Sequence, residues 1–379
     1  MTAIRFPRPD YAALDLYNPG RRPVEVDLSD NTNLWGTHPE ALEVVRRASI
    51  DDLARYPSLY ADEFRAAVAE VFGVQPDQVA TGAGSDDILD SLWRAVCESG
   101  GLVTWPAPTF SMMEPLVMMN GRRGRGVPWS VAMDRPEALL EGDPVLVYIC
   151  RPNNPTGALT EVAWIERLAD LCEAAGTVLL IDEAYADFAL ESLAHMAVSR
   201  KGLLVVRTMS KAFGMAGMRV GFAIGTAEVI AEIEKSRGPY KVGRLDGVAA
   251  AAALRDQSGW ARDRVAEAVT NRKRLADELT ARGFDPLDSA ANFLFVPVPT
   301  GRGSEISEAL RDREVSVRPF LNTDDWGDAL RVTVGPWEMM ERFLNALDEV
   351  NGASGFTEVT GSPAGPSNAG DTSTEGDPQ

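Results

Sequence analysis

Only two histidines, His38 and His195, and three cysteines, Cys97, Cys150 and Cys172, occur among 379 residues. The cysteines are odd in number and far apart, so they form no disulfide framework. Neither they nor the histidines stand at metal-ligand spacing, and both histidines read as structural. This cysteine usage fits a reducing, cytoplasmic setting. Basic residues are also scarce: 37 Lys and Arg face 56 Asp and Glu, for a net charge of −19. A chain of that sign is not expected to bind nucleic acid or an anionic membrane. Long apolar runs are missing as well. The longest, "VAAAAAL" at Val248–Leu254, is far too short to span a bilayer, and no signal peptide opens the chain.

What is present is enough apolar material, 45% of residues, for a large core, in a chain comfortable for two domains. The segment "FTEVTGSPAGPSNAGDTSTEGDPQ" is rich in Gly, Pro, Ser and Thr and carries four acids without a Lys or Arg. It reads as a disordered acidic tail over residues 356–379. Between about residues 78 and 230, short apolar runs alternate with helical patterns. "LVTW", "PVLVYIC", "TVLLI", "GLLVVR" and "VGFAIG" read as buried strands. "DDILDSLWRAVCESGG" places Ile88, Leu89, Leu92 and Val96 on one helical face and is expected to stop at Gly100-Gly101. "EVAWIERLADLCEAAG" is a second helix, closed by Gly176. Such alternation predicts an α/β fold with a mostly parallel sheet covered by helices on both faces. A long helical stretch is expected from about Gly247 to Arg282. After it, "NFLFVPV", "VSVRPF", "ALRVTVG" and a final helix make a smaller α+β unit. The domains are therefore expected at residues 41–285 and 286–355, with residues 1–40 packing on the small one.

In a parallel sheet, ligands gather where the strands run out. Here "VLVYIC" runs into "RPNNPTG", "TVLLI" into "DEAYADF" and "GLLVVR" into "TMSK", while "TGAGSDD" leads into the first helix. Taken singly, each has a plain explanation. "NNPTG" is a turn, Asp182 a cap or ion-pair partner, and "GAGSDD" a helix start with Ser85 as N-cap. Taken together, a carboxylate, an asparagine, a tyrosine, a lysine, an arginine and a glycine-led helix entrance fit one ligand, pyridoxal phosphate. That cofactor needs a lysine for its aldehyde, a carboxylate opposite its ring nitrogen, and N–H donors with a cation for its phosphate.

"RPNNPTG", "DEAYADF" and "SKAFGMAGMRVG", in this order and at these separations, resemble fold type I aminotransferases. The similarity is closest to the histidinol-phosphate aminotransferase branch of class I/II. It spans roughly residues 25 to 352 and includes "ARYP", "GSDD", "APTFSM", "NFLFV", "VRP" and "LRVTVG". The resemblance implies a seven-stranded-type sheet. It also implies that Lys211 holds the cofactor as an imine and shuttles a proton, with Asp182 pairing with the pyridinium nitrogen. Asn154 and Tyr185 would bond the phenolic oxygen. Gly84, Ser85, Asp86, Thr208, Ser210 and Arg219 would cradle the phosphate, and Phe110 would stack on the ring. Tyr56 would reach the phosphate of a neighbouring subunit, hence a homodimer. Trp35, Asn292, Arg318 and Arg331 would form the substrate side, taking an amine donor, foremost histidinol phosphate, and 2-oxoglutarate. Plain packing stands beside the functional reading for Phe110 and Trp35.

Three departures fall on the substrate side. "DNTNLWG" stands where the branch commonly shows a motif like "NENPYG", so Trp35 replaces a tyrosine. Ser58 and Lys241 also differ from the usual pattern. The leading expectation is a transaminase of histidine biosynthesis. An aromatic or other amino-acid aminotransferase, a decarboxylase or oxidase of the same fold, and a binding protein that keeps the fold are the rivals. The arginines of "GRRGRG" at Gly121–Gly126 read as a solvated turn.

Overall fold

The computed structural model describes residues 7, 11–16 and 22–354; the tail expected at 356–379 lies outside them. A seven-stranded sheet carries most of the fold. Its strands are β1 (Val79–Gly82), β2 (Leu102–Ala107), β3 (Arg123–Pro128), β4 (Leu146–Cys150), β5 (Val178–Asp182), β6 (Leu203–Thr208) and β7 (Gly221–Ile224). Their order is β1-β7-β6-β5-β4-β2-β3, and only β7 runs antiparallel to its neighbours. The central strands β4, β5 and β6 are buried almost throughout, as strands sandwiched between two helical layers must be.

The helix Gly84–Val96 turns Ile88, Leu89, Leu92 and Trp93 to the sheet. It ends short of the expected glycines because Cys97 is extended and buried, which carries the chain into the turn at Gly100. The helix Val162–Ala175 closes on Gly176 in the left-handed conformation, as expected. The "GRRGRG" run is not a simple turn, because β3 begins inside it as the edge strand beside β2. A Cβ on Gly124 would come within 2.4 Å of the Trp105 ring, so the glycine makes room for an indole lying across the edge.

A second core lies beyond residue 285. Strands β8 (Phe293–Pro297), β9 (Arg318–Thr323) and β10 (Gly327–Thr333) form an antiparallel sheet in the order β9-β10-β8. Leu294, Val332, Phe343 and Leu347 share a core with Val26 and Leu28, whose segment pairs in parallel with Val315–Ser316. The expected long helix is two, Arg244–Arg255 and Trp260–Ala281. Asp256 accepts from the Ser258 N–H at 3.0 Å and Gly259 is left-handed, so "DQSG" breaks the run. The second helix serves both units: Val265 and Ala268 pack around Tyr185, while Leu275 and Leu279 enter the small core.

Candidate active site

The ends of β4, β5 and β6 and the start of the helix Gly84–Val96 open onto a cavity of about 610 Å³. Twelve residues were expected to hold the cofactor or take part in the chemistry. Ten of them line it: Ser85, Asp86, Phe110, Asn154, Asp182, Tyr185, Thr208, Ser210, Lys211 and Arg219. One more, Gly84, packs against Arg219.

Asp182 ends β5 beside Cys150 at the end of β4. It is 4% exposed and accepts hydrogen bonds from the Tyr148 hydroxyl at 2.8 Å and the Ala184 N–H at 3.0 Å. Burial nevertheless pushes its carboxyl up to about 6, against the pull of those two donors. A buried carboxylate in this state is completed by a cation in the cavity, and a protonated ring nitrogen is such a cation.

Lys211 follows β6 by three residues and is enclosed apart from its cavity side. Its Nζ donates to the Asp30 carbonyl at 3.2 Å and lies 5.7 Å from the centroid of the Tyr185 ring. Burial, followed by the nearby Arg331 guanidinium, lowers its ammonium to about 8. The amine is thus available as a nucleophile and base near neutral pH.

The adjacent asparagines after β4 divide their work. Asn153 is buried and knots the turn, donating to the Pro108 carbonyl at 3.1 Å and to Thr156 Oγ1 at 2.9 Å. Asn154 faces the cavity. Its Oδ1 accepts from Arg331 Nη1 at 2.6 Å, which leaves its amide N–H groups for a ligand. Tyr185 packs edge-on against Phe293, with ring centroids 5.1 Å apart, and burial raises its hydroxyl well above the ordinary value.

At the other end of the cavity, the Thr208 hydroxyl donates to Ser210 Oγ at 2.9 Å. Arg219 reaches Ser210 Oγ at 3.4 Å and Asp86 at 3.2 Å. Ser85 is not the N-cap. The helix starts from Ala83, whose N–H is taken by the Asp87 carboxylate at 3.1 Å, so Ser85 is left to the cavity. Glycine is required at two positions here. A Cβ on Gly84 would sit 2.5 Å from Arg219 Nη2, and one on Gly221 would sit 2.5 Å from the Ser85 nitrogen. The result is a cup of hydroxyls, a helix N-terminus and one guanidinium, which fits a phosphate.

The substrate-side residues are more scattered. Arg331 touches the cavity through Asn154 and also bonds the Ser29 carbonyl. Arg318 faces Arg331 directly across β9 and β10. Asn292 donates to the Asn31 carbonyl at 3.2 Å. Trp35 packs among Tyr185, Phe188 and Phe293, with its indole N–H buried and without a partner among the described residues. Lys241 pairs with Asp87 at 2.6 Å, and Ser58 Oγ accepts the Asp62 N–H at 2.8 Å. Tyr56 is 80% exposed and stacks on Tyr240 at 4.8 Å. Sequence reasoning missed Tyr148 and Asn31, both fixed by contacts far along the chain. The period-two placement of Tyr148 against Cys150 on β4 was the one available hint.

Fold and site together define a pyridoxal-phosphate enzyme of fold type I. The family profile for aminotransferase class I and II matches residues 23–347. The histidinol-phosphate aminotransferase of Rhodopirellula baltica is 32% identical over 90% of this chain and 96% of its own length. Histidinol-phosphate aminotransferase 1 of Bordetella parapertussis is 34% identical over 91% and 99%. Among solved structures, histidinol-phosphate aminotransferase from Sinorhizobium meliloti in complex with pyridoxal 5'-phosphate aligns with a TM-score of 0.82. It is 25% identical, covering 93% of this chain and 99% of that one. The chain belongs to the class I and II aminotransferases, in their histidinol-phosphate aminotransferase branch, and is a transaminase that uses pyridoxal 5'-phosphate.

Proposed function

We propose that the protein exchanges an amino group between histidinol phosphate and 2-oxoglutarate, as a homodimer in the cytoplasm. The observation that carries this reading is the pair Arg318 and Arg331, placed directly opposite on one face of β9 and β10. Like charges so placed repel, and an anion between them turns repulsion into a clamp. Both substrates end in an anion, a phosphate in one and a carboxylate in the other.

The remaining roles are those the resemblance implies, and they are supported by the residues that line the cavity. When bound, the cofactor supplies an electron sink for the carbon that loses its proton. Lys211 would hold the cofactor through its aldehyde carbon and move a proton at the substrate. Asp182, held in place by Tyr148, would keep the ring nitrogen charged. Asn154 and Tyr185 would donate to the phenolic oxygen. Ser85, Thr208, Ser210 and Arg219 would hold the phosphate, and Phe110 would cover the ring. Residues 41–285 act as the cofactor unit and 286–355, with the N-terminal segment, as the substrate unit.

Support for the dimer comes from Tyr56 and its surroundings. Ile50, 83% exposed, and Leu53, 73% exposed, lie on the short helix just before Tyr56, which is itself exposed and stacked on Tyr240. No helix among the described residues is long and apolar enough to cross a membrane.

The deciding experiment measures kcat/KM for histidinol phosphate, histidine, phenylalanine and tyrosine with 2-oxoglutarate as acceptor. Histidinol phosphate should lead by tenfold or more. An amino acid leading by that margin overturns the substrate assignment. Release of carbon dioxide without a pyridoxamine form overturns transamination. Sedimentation of the active enzyme should show a dimer, and a fully active monomer would contradict the role given to Tyr56.

A further inference from the structure

We propose that Asn31 is a positioning residue that sets the direction of the Tyr185 hydroxyl proton, making Tyr185 a donor toward the cavity. The proposal rests on the cofactor reading above and concerns how the protein prepares that site.

The order of donors follows from one group whose polarity is not in question. The backbone N–H of Asn31 can only donate, and it donates to Thr333 Oγ1 at 3.0 Å. The Thr333 proton then goes back to Asn31 Oδ1, also at 3.0 Å. With Oδ1 committed, the other end of the amide faces Tyr185. Asn31 Nδ2 has only protons to give, and it gives one to the Tyr185 oxygen at 3.0 Å. Tyr185 therefore accepts from Asn31 and sends its own proton elsewhere, and its open side lines the cavity. Thr333 is fully buried and Asn31 is 1% exposed, so water does not compete for these partners.

The backbone is built around this arrangement. Asn31 sits at φ +55°, a left-handed conformation that asparagine tolerates better than most residues. The Asn31 carbonyl accepts from Asn292, and the preceding carbonyl of Asp30 accepts from Lys211. Arg331 acts in parallel on the second donor, since it occupies Asn154 Oδ1 and leaves that amide's N–H groups for the cavity. Both residues that meet the phenolic oxygen thus have their polarity set from outside the large sheet. A donor at that oxygen draws off negative charge. It thereby loosens the proton on the neighbouring nitrogen that joins cofactor and Lys211.

The test is the pH titration of the visible absorption band of the loaded enzyme. The proteins compared are wild type, Tyr185→Phe, Asn31→Ala, Asn31→Asp, Thr333→Val and the double variant Asn31→Ala with Tyr185→Phe. Tyr185→Phe should raise the midpoint by about one pH unit or more. Asn31→Asp, whose carboxylate can only accept, should take the tyrosine proton and raise the midpoint at least as far. Asn31→Ala should raise it less. Thr333→Val keeps Asn31 but lets its amide turn over, and should move the midpoint in the same direction. On the Tyr185→Phe background, Asn31→Ala should add nothing. The proposal is overturned if Tyr185→Phe shifts the midpoint while the Asn31 and Thr333 variants titrate like wild type. It is equally overturned if Asn31→Ala shifts it by the same amount with or without the tyrosine hydroxyl. A wild-type protein without any Lys211-dependent visible band overturns the cofactor reading itself, which is a distinguishable result.

Discussion

At the rim of the large sheet, Asp182, Lys211 and Asn154 each stand at or just beyond the end of a buried apolar strand. Arg318 and Arg331 instead sit on the small antiparallel sheet, and Asn31 sits in the segment that crosses to it. The first set is placed by neighbours in sequence: where the apolar run stops, the functional residue begins. In the second set, Arg331 and Asn31 are placed by contacts that span most of the chain, and Arg318 by its pairing with Arg331. On the roles proposed above, chemistry common to every substrate would lie with the parallel framework and discrimination between substrates with the two arginines, while Asn31 reaches back from the second set to Tyr185 in the first.

The sharpest way to break this comparison is Lys211→Ala, which should remove the Lys211-dependent visible band and lower kcat by about 10⁴-fold or more. Retention of that band would mean the framework carries its reactive amine elsewhere. Asp182→Asn should lower kcat by roughly 10²- to 10³-fold while the protein stays folded. Its cofactor-free form should also gain stability at neutral pH. The folded carboxyl holds its proton up to about 6, against roughly 4 in an unfolded chain. Its contribution is therefore full below about pH 4 and is lost as the pH rises through about 6. The amide escapes that loss, so thermal melts of cofactor-free wild type and variant should diverge toward pH 7 and converge toward pH 4. The gap is on the order of 1–3 kcal/mol. Equal melts across this range would mean that the carboxylate is not strained by its burial.

On the substrate side, effects should be smaller and should fall on KM. Arg331→Lys removes a planar fork that reaches both Asn154 and Ser29, and should raise KM for histidinol phosphate by about 10- to 100-fold. A larger effect on kcat than on KM would move Arg331 into the framework. Trp35→Tyr should change kcat/KM by up to about tenfold. The indole N–H has no partner among the described residues, and a tyrosine in its place would offer a hydroxyl. No change would mean that Trp35 only packs.

The legibility of the sequence follows the same division. The five strands expected between residues 102 and 224 are all present, because continuous β-branched and aliphatic runs bounded by turn residues have few other uses. Strand β1 and edge strand β3 were not expected. β1 is four residues long, and β3 alternates arginine with glycine, a pattern explained only by the Trp105 ring lying against it. The Asp182 and Lys211 positions were visible as strand ends. The neighbouring Asn153 and Asn154 look alike in sequence and separate only when the turn is folded. Asn31 could not be singled out, because its meaning depends on Thr333.

The pair Asn31 and Thr333 lies 302 positions apart, as do Ser29 and Arg331. Bringing such distant pieces together costs loop entropy that no local turn offsets. The site is therefore expected to be completed late in folding, after the large sheet has its own core. During synthesis, a growing chain can present Asp182 and Lys211 long before it has made the residues that orient Asn31 and clamp an anion. The reactive lysine can acquire its full surroundings only once β10 has been made, so a newly made molecule is expected to begin work no earlier than that strand.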